Sequence, residues 1–115
     1  MTERTPPIPA KDLSREEPRP MGASLEDYPW LPRMIDKARA ARAGTLGDHY
    51  RYPCPIDATC LARLGISAEA FADVAENAAS DEAVLTLLRA RGIPTAAIAA
   101  FDPVALYKRI HHEGS

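Results

Sequence analysis

The sequence is short of several things, and each shortage removes a class of protein. It has two cysteines in 115 residues, Cys54 and Cys60, six apart and in no paired CxxC arrangement. That spacing matches neither a disulfide framework nor a zinc ligand set, so both read as reduced thiols. Large apolar side chains are few. Leu, Ile, Val and Phe together number 22 against 21 Ala, so the 46% hydrophobic share describes a small core. Burial stabilises in proportion to apolar area, and Ala supplies little of it. No apolar run approaches the roughly 20 residues that cross a bilayer. Met1 to Pro20 also lacks the apolar stretch of a secretion signal, so a cytoplasmic protein with no membrane role is expected. A net charge of −2 is missing the basic excess of a general nucleic-acid binder.

The chain is too short for a two-domain enzyme, a Rossmann unit with a separate substrate domain, or a TIM barrel. No GxxxxGK[ST], HExxH or GxSxG occurs, which removes phosphate-loop, zincin and hydrolase-elbow chemistry and leaves no cofactor or metal implied. His111-His112-Glu113 offers no alternative, because adjacent helical residues point about 100° apart and cannot share one metal.

What is present is well punctuated. Seven of the 11 prolines lie at or before Pro32, so residues 1–30 read as an extended arm, 31–112 as a single helical domain and 113–115 as a tail. Leu31, Met34, Ile35 and Ala38 fall at i, i+3, i+4 and i+7, with Pro32 suited to the first turn and Gly44 to the position after the last. His49-Tyr50-Arg51-Tyr52 alternates like a short extended segment, and Pro53 and Pro55 flank Cys54 and argue against regular helix there. Asp57 is a candidate N-cap for a helix carrying Cys60, Leu61 and Leu64 that Gly65 ends. Ser67 then caps a helix bearing Phe71, Val74, Ala75 and Ala78, and Ser80 one bearing Val84, Leu85, Leu87 and Leu88. Thr95 is placed to cap a short helix through Ile98 to Phe101, and Asp102-Pro103 to open a last one with Leu106 and Ile110. The expected fold is all-α, a small bundle of about five or six short helices with a Pro-rich N-terminal arm and one extended segment.

Charge is not evenly spread. Residues 28–52 carry five positive and two negative side chains, whereas the segments on either side are net acidic. Within the basic section Arg33 and Lys37 are one helical turn apart and Asp36 is i+3 from Arg33, the pattern first of a solvated helix face with one exposed ion pair and, as the sharper alternative, of an anion site. Tyr50 and Cys54 follow. Asp57 brings a helix N-terminus near the thiol, which favours its ionised form, although a small buried Cys with a capping Asp has the same pattern. Arg33, Asp36, Lys37, Tyr50, Cys54 and Asp57 are therefore the candidate ligand-binding set.

These segments also carry a resemblance. Asp12-Leu13, the block Leu31-Pro32-Arg33-Met34-Ile35-Asp36-Lys37-Ala38-Arg39-Ala40, Gly44-Thr45-Leu46-Gly47, Tyr50-Arg51-Tyr52 and Cys54-Pro55-Ile56-Asp57 resemble the bacterial family called domain of unknown function 5069. Leu64-Gly65-Ile66 and the Asp81 to Gly92 helix look like it too, so the likeness spans residues 11 to 103. At Pro18 to Asp27 the chain departs from the family pattern, with Met21-Gly22-Ala23-Ser24 where an Arg-Ser-Pro and Gly-Gly pattern is looked for. The resemblance implies a small cytoplasmic single-domain protein and carries no activity over.

Two functional expectations follow. One is a non-catalytic module that binds a small anionic ligand or a protein partner, with the basic helix as one wall of a pocket and the arm packed across the bundle. The alternative is a cofactor-independent enzyme acting on an anionic small molecule: Arg33 and Lys37 hold the anion, Tyr50 or Asp36 is general acid or base, and Cys54 is nucleophile. The Ala-rich helices would also suit a homo-oligomer, or equally close packing within one chain.

Overall fold

Helices form where apolar spacing and capping residues coincide. The structure is a computed structural model that describes residues 10–20, 23–26, 28–93, 102 and 105–109. Helix α1 runs Leu31–Ala43, with Pro32 in the first turn, where a missing N–H costs nothing. It ends at Gly44, whose φ of 75° is easily reached only by glycine. Leu31, Met34, Ile35 and Ala38 are completely buried, as their shared face predicts. Helix α2 is Pro55–Leu64, α3 is Ala68–Asn77 and α4 is Asp81–Ala90. Ser67 Oγ accepts the Ala70 N–H at 3.1 Å and Ser80 Oγ the Ala83 N–H at 3.0 Å, so both serines cap as expected. Asp102 Oδ1 accepts the Ala105 N–H at 3.0 Å, opening a further helical stretch over residues 105–109. The all-α expectation holds. The expected helix from Thr95 to Phe101, with Pro103, Ile110 and His111-His112-Glu113, lies outside the described residues.

Two local expectations are corrected. Cys54, not Asp57, is the N-cap of α2: its Sγ accepts the Asp57 N–H at 3.4 Å, while the Asp57 carboxylate accepts the Cys54 N–H at 2.9 Å. This reciprocal pair is a capping box, and Pro55 starts the helix because N1 needs no donor. His49 to Tyr52 forms no strand. Among the described residues strand pairing occurs only in the arm, where β1 (Ser24–Leu25) pairs antiparallel with β2 (Tyr28–Pro29), Ser24 opposite Pro29.

Helix α1 packs on α3, and α3 on α2 and α4. Ala38 of α1 and Ala72 and Ala75 of α3 are buried in the shared core, where small side chains permit close approach. Each large buried apolar side chain contributes about 1.5–3 kcal/mol, so in so small a core the arm matters. It adds Leu13, Leu25 and Trp30, all buried. The Leu13 N–H donates to Thr45 O at 2.8 Å, and a Cβ on Gly47 would meet the Ser14 backbone at 3.2 Å, so the arm runs directly against the turn after α1.

A charge network holds the arm down. Arg19 Nε and Nη2 donate to Asp36 at 3.1 and 3.0 Å, its backbone N–H donates to Asp36 at 2.8 Å, and Nη1 pairs with Asp81 of α4. Lys11 lies 3.5 Å from Asp36, and Arg39 Nη1 lies 3.4 Å from Asp81. The hydrogen bond from Arg19 is the largest influence holding the Asp81 carboxyl below its ordinary range. A carboxyl depressed in the folded state adds stability above its unfolded pKa and loses it as pH falls through the folded value. Arg19→Ala is therefore expected to cost about 1–3 kcal/mol at pH 7 in urea unfolding. The gap between wild type and variant should narrow as pH falls below about 4; a gap independent of pH would contradict this role for Asp81.

Candidate functional site

Arg33 and Lys37 project from one side of α1 because four residues make about one turn. The loop after α1 returns past them before entering α2. Between these elements lies a cavity of about 350 Å³. The start of α1 supplies Trp30, Arg33 and Lys37 to its wall, and the loop supplies His49, Tyr50 and Arg51. Cys54, Pro55 and Ile56 bring the N-terminus of α2 to its edge, and Tyr107 reaches it from the 105–109 stretch.

Asp57 ties these walls together without lining the cavity. It is completely buried, and its carboxylate accepts from Trp30 Nε1 at 2.6 Å, Lys37 Nζ at 2.7 Å and the Cys54 N–H at 2.9 Å. A buried carboxylate is tolerable only when paired and fully hydrogen-bonded, and here three donors from two helix starts and one helix face satisfy it. Trp30, at the N-cap of α1, holds φ 72°, a left-handed conformation that costs a bulky residue about 1–3 kcal/mol. The indole bond to Asp57 and full burial hold it there.

The consequence for the cavity is an uneven charge. The Lys37 ammonium is cancelled within the wall by Asp57. Arg33 has no carboxylate partner among the described residues. Its Nη1 donates to the arm carbonyl of Arg19 at 3.2 Å, and its buried Nε finds no acceptor. Its guanidinium carbon lies 5.5 Å from the centre of the Trp30 ring and 5.6 Å from that of Tyr50, within cation–π range. Arg51, exposed, also has no carboxylate partner among the described residues. The cavity thus presents net positive charge on aromatic walls. The Ile56 N–H adds to this, since at the second position of α2 it has no intrahelical acceptor.

Of the six candidate residues, Arg33, Lys37, Tyr50 and Cys54 line one cavity. Asp57 bonds to two of these from within the core. Asp36 does not line it: about 100° round α1 from Lys37, it is held by Arg19 and Lys11. The two cysteines also separate. Cys54 is half-buried at the cavity, whereas Cys60 is buried in the core, where burial, with a smaller push from the Asp57 charge, drives its thiol up to about 12. Tyr52 faces another groove. Its hydroxyl donates to Ala68 O at 2.6 Å, and burial pushes its ionisation above the ordinary tyrosine range. Trp30, His49, Arg51, Pro55, Ile56 and Tyr107 also line the cavity and were not among the six candidates; Arg51 had only its neighbour Tyr50 as a signal, and Tyr107 had none. Among the described residues no three His, Cys, Asp or Glu side chains gather as a metal site would need, and no helix is long and apolar enough to cross a membrane.

Removing the ammonium of Lys37 would strand a buried charge. Lys37→Met is expected to lower the unfolding free energy by about 3–5 kcal/mol, measured by urea titration. A loss under about 1 kcal/mol, the worth of a surface pair, would mean the pair is not the buried support described.

No curated protein matches the chain. A family model described as a domain of unknown function, DUF5069, matches residues 15–102. The match takes in the arm from Arg15, α1 to α4 and all of the cavity wall except Tyr107, in agreement with the resemblance drawn from the motifs. With well over half of its length inside that match, the chain belongs to the DUF5069 family.

Proposed function

We propose that this chain is a ligand-binding module that takes a small anionic molecule in the cavity beside Arg33. The observation that carries this reading is the guanidinium itself: partly buried, without a carboxylate partner among the described residues, and with a buried Nε that has no acceptor. A guanidinium that lines a cavity with no carboxylate opposite it is a group that a carboxylate or phosphate oxygen pairs with through a charge-assisted bond. The N-terminus of α2 favours negative charge at the same edge. Lys37 supports the wall, and Tyr50 covers one side of the guanidinium.

A second reading, a cofactor-independent enzyme on an anionic substrate, is favoured by one observation. Cys54 Sγ accepts a backbone N–H at the start of α2 and lines the same cavity, so a thiol nucleophile would stand beside a ligand bound there. Asp36 offers no acid or base to this cavity, because Arg19 and Lys11 hold its carboxylate elsewhere.

The binding reading predicts that NMR titration with acetate, benzoate and phosphate moves resonances of Arg33, Tyr50 and Cys54 to Ile56 together. Arg33→Gln should weaken that binding at least about tenfold, the loss of one charge-assisted contact. Shifts that scatter over the surface, or that survive Arg33→Gln, would contradict it. The enzyme reading predicts that iodoacetamide alkylates Cys54 in the folded protein faster than free cysteine while Cys60 resists. Slower labelling of Cys54 than of free cysteine would remove the nucleophile.

A further inference from the structure

We infer that the anion taken by this cavity is borne on a planar ring, so that the ligand class is a small aromatic carboxylate or phosphate and not an aliphatic acid or a free inorganic anion. This deepens the anion-binding reading and rests on it. The chain has seven Trp, Tyr and Phe residues in all, and three of them, Trp30, Tyr50 and Tyr107, line this one cavity. In a protein with so few large apolar side chains, aromatic residues are worth most in the core, where Phe71 is wholly buried. Tyr50 and Tyr107 are instead left partly exposed at the cavity, and the rings of His49 and Pro55 stand beside them. Aliphatic contact comes from Ile56 alone among the branched apolar residues of the wall.

The chemistry of such a wall selects for ring faces. Aromatic rings attract one another in offset or edge-to-face arrangements beyond what area burial provides, and an aliphatic body of equal volume gains only the area. The polar anchor is compatible with this. Arg33 is flanked by the Trp30 and Tyr50 rings, so a ligand whose oxyanion reaches the guanidinium carries its remaining atoms within the same ring-lined space. The volume of about 350 Å³ falls at the low end for small-molecule sites. It admits one or two rings. Arg51 supplies a second exposed cation at the rim for a doubly charged group.

The test uses the full chain and two matched probe pairs at constant ionic strength, followed through the resonances of Arg33 and Tyr50. Benzoate should bind about threefold to tenfold tighter than cyclohexanecarboxylate, and phenyl phosphate tighter than inorganic phosphate by at least the same factor. Tyr50→Phe should keep the preference and Tyr50→Leu should flatten it, with circular dichroism confirming that both variants fold. Should either variant fail to fold, the wild-type ratio of benzoate to cyclohexanecarboxylate decides alone. Equal or tighter binding of cyclohexanecarboxylate overturns the ring inference, while the anion reading stands if both acids are lost in Arg33→Gln. Absence of binding by all four probes overturns both.

Discussion

The carboxylate of Asp57 is the point on which the arrangement turns. It is buried without exposure, and its acceptor positions are taken by the indole of Trp30, the ammonium of Lys37 and the backbone of Cys54. Those three partners belong to the N-cap of α1, the second turn of α1 and the N-cap of α2. Desolvating an ion costs several kcal/mol before any partner is counted, so the three donors must all be in place for the fold to tolerate it. One side chain thereby sets how the two helix starts meet, holds Trp30 in a left-handed backbone conformation, and neutralises the lysine that would otherwise share the cavity with Arg33.

The arm completes the same construction from the other side. Its apolar residues enlarge a core that has few large side chains, and Arg19 fastens it to α1 and α4 through Asp36 and Asp81. The carbonyl of Arg19 also receives Arg33 Nη1. The cation left available in the cavity is therefore steadied by the arm and flanked by a tryptophan that the Asp57 network steadies. Two separate charge networks, one joining helix starts and one joining the arm, meet at a single guanidinium.

Local chemistry made much of this legible in advance. The spacing of Leu31, Met34, Ile35 and Ala38, the glycines after α1 and α2, and the capping serines before α3 and α4 act within a turn of chain, and each formed as its neighbours dictate. The start of α2 was displaced because a thiol is a weak and uncommon cap, whereas an Asp in the first turn fits either the N-cap or N3. His49 to Tyr52 had the alternation of a strand but no second strand to pair with. The site divides along the same line. Arg33, Lys37, Tyr50 and Cys54 converge because helical periodicity and one loop bring them together. That Asp36 would turn to Arg19, or that Tyr107 would close the cavity, depends on contacts across distant chain, and no local rule carries that information. The family match covers residues 15–102 and is silent on chemistry.

The indole N–H of Trp30 reports most directly on the central interaction, and the chain has one tryptophan, so its resonance is unambiguous. A buried indole bonded to Asp57 at 2.6 Å should exchange its hydrogen with solvent only through opening of the domain as a whole. Its exchange should then slow and quicken in step with global stability across a denaturant series. Exchange at the rate of a solvent-exposed indole, insensitive to denaturant, would show that the Asp57 network does not hold the helix starts together.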